Sequence, residues 1–211
     1  MRKRKIIIFI VFIFSTNLLL AQKQFRFGIN YFGGCSTIMG NDISYLPKLS
    51  VGTGWEAEYG FTKHSCIALS TGYMQNGAKF NDEIDNGNNP SYKFSYWNVQ
   101  INYKYKFCLD SSKLNYHFLI GAFENTLLSA SLVNTYGSTN INDNVSSFDY
   151  GLTIGVGTEC KFKMVGMYQL DIIASYGIKN IYTGMMNANG FSGNNLFVGL
   201  KTACLLGKQK P

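Results

Sequence analysis

The stretch Lys48–Phe61, KLSVGTGWEAEYGF, sorts its residues by position into two sets. Leu49, Val51, Thr53, Trp55, Ala57, Tyr59 and Phe61 share one parity, and Ser50, Gly52, Gly54, Glu56, Glu58 and Gly60 share the other. A period of two is that of a β-strand, whose successive side chains point to opposite faces. One face is therefore apolar and ends in aromatics, while the other is small, polar and acidic. Any fold for this chain must give both faces suitable surroundings.

The pattern recurs over Phe25–Phe32, Cys66–Gln75, Tyr96–Phe107, Phe148–Phe162, Tyr168–Ile178 and Asn195–Leu206. It is weaker over Tyr116–Phe123, where Leu119 and Phe123 interrupt the polar side. With Lys48–Phe61 this predicts eight strands, several longer than the five or six residues usual in soluble sheets. About nine to eleven tilted residues are what a strand needs to cross a bilayer. Abundant Phe (16), Tyr (14) and Gly (22) with only 3 Pro suit such a chain. The connections alternate. TKHS, LDSSK and KMVGM are short, whereas about 33–48, 76–94, 124–147 and 180–194 are long and polar. Short turns at one end and long loops at the other mark transmembrane barrels of the outer-membrane type.

Period two alone does not say which face is inside. A soluble barrel of the lipocalin kind turns its apolar face inward, and a membrane barrel turns it outward. Three features favour the second. The polar face is built mainly of Gly, Ser, Ala, Asn, Gln and Thr, which suits the narrow interior of eight strands. Its charges nearly balance, with Glu56, Glu58, Asp149, Glu159 and Asp171 against Arg26, Lys104, Lys106, Lys161, Lys179 and Lys201. Buried charges must be paired, so these residues are expected to form an ion-pair network, with Lys104 or Lys106 meeting Glu56 and Glu58. Finally, aromatics of the apolar face gather toward both strand ends, as the two membrane interfaces favour. The expected fold is an all-β, eight-stranded antiparallel up-and-down transmembrane β-barrel with a packed polar lumen. Trp55 then faces lipid and Glu56 the lumen.

The N-terminal segment MRKRKIIIFIVFIFSTNLLLAQ has a basic start, an apolar core and Ala21, which reads as a signal peptide over 1–21 followed by a barrel domain over 22–211. Four of the 19 Lys and Arg lie in that segment and none of the 12 Asp and Glu, so the remainder carries +3. No basic run lies in the body of the chain, and no nucleic-acid partner is expected.

The segments LSTGYMQNGAKF, YWNVQINYKYKF, FDYGLTIGVGTECKF, ASYGIKNIYTG and NNLFVGLKTACLL resemble the PorT-like outer-membrane β-barrel proteins of the Bacteroidetes, over Phe25 to Leu206. The resemblance implies a single-domain barrel in the outer membrane, one branch of the family being associated with protein secretion across it. Such barrels usually end on an aromatic residue read by the assembly machinery; this chain ends CLLGKQKP. The partners expected are the outer-membrane lipid bilayer, the barrel-assembly machinery during biogenesis, and an envelope protein met through the external loops.

Chemistry is sparse. The only histidines are His64 and His117, and neither stands at recognisable spacing from a Ser–acid set, so a lipid-modifying enzyme is disfavoured. Asp82, Glu83 and Asp85 do not match the calcium-loop spacing. No catalytic residue, cofactor site or metal site is expected. Cys66 and Cys108 fall at the short-turn end on the inward parity and can form a cross-strand disulfide in an exported protein. The leading function is a non-enzymatic outer-membrane protein with external loops for binding or an envelope-structural role. A secretion component is the alternative.

Overall fold

The computed structural model describes residues 25–40, 45–80, 90–107, 114–162, 166–183 and 192–207. The strands are β1 (Phe25–Gly40), β2 (Tyr45–Gly60), β3 (Ser65–Phe80), β4 (Ser91–Phe107), β5 (Leu114–Asn134), β6 (Gly137–Asn140), β7 (Phe148–Phe162), β8 (Gly166–Gly177) and β9 (Gly193–Leu206). Every pairing is antiparallel, β1 pairs with both β2 and β9, and β4 pairs with β5. The eight strands β1–β5 and β7–β9 thereby close into a ring. β6 is a short hairpin partner at the far end of β5. Closure satisfies each strand's backbone on both sides, the condition for a sheet to sit in hydrocarbon.

The faces separate as the alternation predicts. Trp55 is 53% exposed while its neighbour Glu56 is 0% exposed. Phe27, Ile29, Leu69, Val99, Ile101, Ile120, Leu152, Ile154, Ile172 and Leu200 are all exposed. A continuous apolar belt of that size in water would be an aggregation surface; against lipid it is the matching one. Aromatics border the belt. Tyr59 packs on Phe61 at the short-turn end and Tyr105 on Phe107, with ring centroids 5.2 and 5.3 Å apart. At the opposite end Tyr31, Tyr73, Trp97, Phe148, Tyr150 and Tyr176 are exposed. Phe27 of β1 and Leu206 of β9 pair directly at the short-turn end.

The strands run further outward than the alternation reaches. β1 continues to Gly40, β3 to Phe80, β4 begins at Ser91, and β5 reaches Asn134 over 21 residues. Much of the predicted loop sequence is therefore strand. The physical reason is that polarity inverts above the outer girdle on β3, β4 and β5, while Met39, Leu46 and Leu49 of β1 and β2 stay exposed. There the inward side chains are Ile38, Ala78, Tyr92, Phe94, Tyr96 and Ala130, all buried, and the outward ones include the exposed Lys79 and Lys93. That is the pattern of a barrel in water. A register shift between Ser95 and Tyr96 marks the change on β4, and β2 carries another shift between Pro47 and Val51.

Candidate functional site

The lumen is filled in layers. Nearest the short turns lies an ionic cluster. Glu58 accepts from Arg26 at 3.0 Å and Lys106 at 2.6 Å through Oε1, and from Gln169 at 2.7 Å through Oε2. Lys104 reaches Glu56 at 2.9 Å, Glu58 at 3.5 Å and the Gln169 amide oxygen at 2.7 Å. Glu56 is also paired with Lys201 at 2.5 Å. Glu159 meets Lys106 at 2.7 Å, Arg26 at 3.8 Å, and the Asn115 amide at 3.3 Å. His117 Nε2 lies 2.9 Å from Asp171 Oδ1. Glu56, Glu58, Glu159 and Asp171 thus face Arg26, Lys104, Lys106 and Lys201, four charges of each sign, all buried. Desolvating them costs several kcal/mol per ion, which the multiple short contacts offset.

These pairs cross the lumen because the strands between them carry small residues. β3 stands between β2 and β4, and sets Ala68 opposite Glu58 and Ser70 opposite Glu56. β7 stands between β5 and β8. Its Gly157 lies opposite both His117 and Asp171, where a Cβ would collide with Asp171 Oδ1 and crowd the Leu170 carbonyl and His117 Nε2. Glycine at that position is what lets the imidazole reach the carboxylate.

Above the cluster the lumen turns apolar. Phe32, Met74, Leu119, Ile173 and Phe197 pack together, all buried. The expectation of a packed polar lumen is corrected here in one respect, that this layer is apolar. Leu119 and Phe123, which interrupt the polar alternation of their segment, are both buried inside. Over them sits Asp149, apart from the ionic cluster, where its Oδ2 accepts from Asn195 at 2.9 Å and Asn125 at 3.4 Å. The adjoining cavity, lined by Phe32, Asn98, Asp149, Asn195 and Phe197 among others, holds about 20 Å³. That is room for one water and not for a solute path. The mouth is closed by an aromatic cap. Tyr45 and Tyr182 hydroxyls meet at 2.7 Å, and Ile141, Val145 and Ile181 fold inward over Tyr92, Phe94 and Tyr96. Backbone bonds pin the cap, with Ser146 N–H donating to Ile181 O at 2.7 Å and Thr183 N–H to Asn144 O at 2.9 Å.

Of the residues expected in the polar network, Arg26, Glu56, Glu58, Lys104, Lys106, Glu159, Asp171 and Lys201 come together. Asp149 is buried but in the upper layer. Lys161 shares the inward parity yet is exposed, because it lies near the rim, next to the end of β7. Gln169 and Asn115 complete the cluster; their only sequence signal was the polar parity, which a tally of charges passes over. His117 hydrogen-bonds Asp171, and its Nδ1 has no hydrogen-bond partner among the described residues. Among the described residues no three His, Cys, Asp or Glu side chains are grouped as a metal site. Cys66 is buried; Cys108, its expected disulfide partner, lies outside the described residues, as do Asp82, Glu83, Asp85 and the segment 1–21.

A closed antiparallel ring of eight strands, apolar outside and ionic within, defines the class of outer-membrane β-barrels. A family model described as outer membrane protein beta-barrel domain matches residues 19–182, and the chain belongs to that family. No curated protein matches it. Among solved structures it is similar to Neisserial surface protein A, at 11% identity over 85% of this chain and 96% of that one, with a TM-score of 0.48. It is also similar to Ail of Yersinia pestis in complex with the heparin analogue sucrose octasulfate, at 15% identity over 85% and 99%, TM-score 0.42. A third likeness is to the N-terminal barrel domain of Pseudomonas aeruginosa OprF, at 13% over 87% and 98%, TM-score 0.42.

Proposed function

We propose that this outer-membrane barrel is non-enzymatic and non-conducting, and that it acts through the strand extensions that rise above the outer girdle. The observation that carries this reading is the filled lumen. An ionic cluster, an apolar layer and an aromatic cap succeed one another along its axis. Eight strands leave no aqueous channel in any case. What the protein offers to its surroundings is the rigid outer wall of β3, β4 and β5 with the β5–β6 hairpin, a platform for a binding partner in the envelope or at the surface. The bilayer is its solvent, and the barrel-assembly machinery is its partner during biogenesis.

The test is reconstitution in planar bilayers beside a surface-binding assay. The expected result is no unitary conductance above baseline, and loss of partner capture when residues 135–140 are replaced by a tight turn. Steady open channels from the intact protein would refute the reading. The motif resemblance to PorT-like proteins supports a second reading, a component of a secretion apparatus. Stoichiometric co-purification with other envelope proteins from the native membrane would favour it.

A further inference from the structure

Asp149 is the buried acid that stands outside the ion pairs. Glu56, Glu58, Asp149, Glu159 and Asp171 are all buried, and among the described residues only Asp149 has no basic side chain within pairing distance. It lies on β7 between Phe148 and Tyr150 of the outer girdle and is 0% exposed. Lys179, just past the end of β8, is half-buried and forms no ion pair with it.

The hydrogen bonds of Asp149 are those of an ionised carboxylate. Oδ2 accepts from Asn195 Nδ2 at 2.9 Å and from Asn125 Nδ2 at 3.4 Å. Oδ1 has neither donor nor acceptor beside it among the described residues, whereas a proton on that oxygen would need an acceptor. A buried carboxylate calls for an opposite charge, and amide donors supply none.

The surroundings offer oxygen ligands. Asp149, Asn98, Gln100 and Asn195 line one cavity of about 20 Å³, the room of a single water. Each of these amides spends its N–H₂ group on a neighbour. Asn98 Nδ2 donates to Asn125 Oδ1 at 2.7 Å and Gln100 Nε2 to Asn102 Oδ1 at 3.1 Å, while Asn195 Nδ2 serves Tyr96 Oη at 3.3 Å as well as Asp149. Their amide oxygens accept from no donor among the described residues. Gly177 keeps the space beside Oδ1 open, since a Cβ there would crowd that oxygen. One carboxylate with neutral oxygens suits a hard cation of single charge. A divalent ion would leave a net positive charge, and a soft metal would require thiolate or imidazole.

We infer that Asp149 and the amide oxygens of Asn98, Gln100 and Asn195 form a binding site for one dehydrated monovalent cation of the size of sodium, at the base of the aromatic cap. Asn195 bonds to both Asp149 and Tyr96 of the cap. A cation held there braces the cap against the apolar layer of Phe32 and Phe197 beneath it.

The test uses the full mature chain, refolded into zwitterionic vesicles with choline chloride as the only salt and checked for closure by its altered gel migration before boiling. Equilibrium urea unfolding is followed as sodium chloride replaces choline chloride at constant ionic strength. The expected result is a folded-to-unfolded ratio that rises about tenfold for each tenfold of sodium once the site begins to fill, the response of one ion bound to the folded chain. Asp149→Asn is expected to lose that response and, in choline alone, to be at least as stable as the natural chain, because the unbalanced charge is gone. Lys179→Gln is expected to keep the response. Unfolding that ignores sodium would overturn the assignment without recourse to any variant, and stability falling with rising pH in that case would mark a proton on Asp149 in the cation's place. A sodium response that survives in Asp149→Asn, or a variant weaker than the natural chain in both salts, would overturn it too. A response seen only in Lys179→Gln would make Lys179 the counter-charge and refute the site.

Discussion

Glu58→Gln is the sharpest perturbation of the ionic cluster. The replacement keeps shape and volume, so no cavity is created and charge is what changes. In the protein, Glu58 draws donors from Arg26 at 3.0 Å, Lys106 at 2.6 Å, Lys104 at 3.5 Å and Gln169 at 2.7 Å, with the side chain only 2% exposed. The variant leaves Glu56, Glu159 and Asp171 facing Arg26, Lys104, Lys106 and Lys201, one uncompensated cation in a site closed to water. It also turns an amide N–H₂ toward one of those cations. Breaking a buried pair by removing one partner costs roughly 3–5 kcal/mol. The assay is equilibrium urea unfolding in lipid vesicles, followed by Trp55 and Trp97 fluorescence and by the unboiled gel shift. A second variant, Glu58→Gln/Lys106→Met, restores the balance while Glu159 keeps Arg26 and Asn115. It is expected to regain at least half of the lost stability. If Glu58→Gln costs under about 1 kcal/mol, or if the double variant is no more stable than the single, the lumen is not held by charge balance.

Two further outcomes follow from other parts of the wall. Ile154 is 59% exposed and lies midway along β7, opposite Ile120 and Ala174. In lipid Ile154→Lys is expected to cost about 2–4 kcal/mol, measured by the same unfolding, whereas a neutral result would mean that this face meets water. Gly157→Ala is expected to separate His117 from Asp171 and to cost about 1–3 kcal/mol through the buried groups left unpaired. An unchanged His117 NMR shift in that variant would show that the pair adapts.

The parity of side chains along Lys48–Phe61 was enough to set Trp55 outside and Glu56 inside, because a strand in a membrane barrel has only two environments. The same logic found all eight barrel strands. It stopped short at Gly33, Asn76 and Glu124 because it took lipid-facing alternation as the mark of a strand. Above the girdle both environments change: ENTLLSASLVN keeps its ladder with Leu127, Ala130 and Leu132 packed inward, and GGCSTIMG keeps its ladder with no clean alternation at all. The near balance of acids and bases was legible as composition. The pairing was legible only in part: Lys104 and Lys106 do meet Glu56 and Glu58, but the further partners Arg26, Lys201 and Gln169 come from strands that parity alone does not bring together. Lys161 shows the limit of parity as well. At a rim the inward direction opens to water, and the charge needs no partner.

The ionic cluster draws Arg26 from β1, Glu56 and Glu58 from β2, Lys104 and Lys106 from β4, Glu159 from β7, Asp171 from β8 and Lys201 from β9. The first and last strands of the chain both contribute, and they meet at the closing seam. An incomplete sheet therefore carries orphan charges, which hydrocarbon does not tolerate. Closure and charge balance are therefore one event in this fold. Seating β9 between β1 and β8 brings Lys201 to Glu56, so the step that closes the ring also completes the balance of charge.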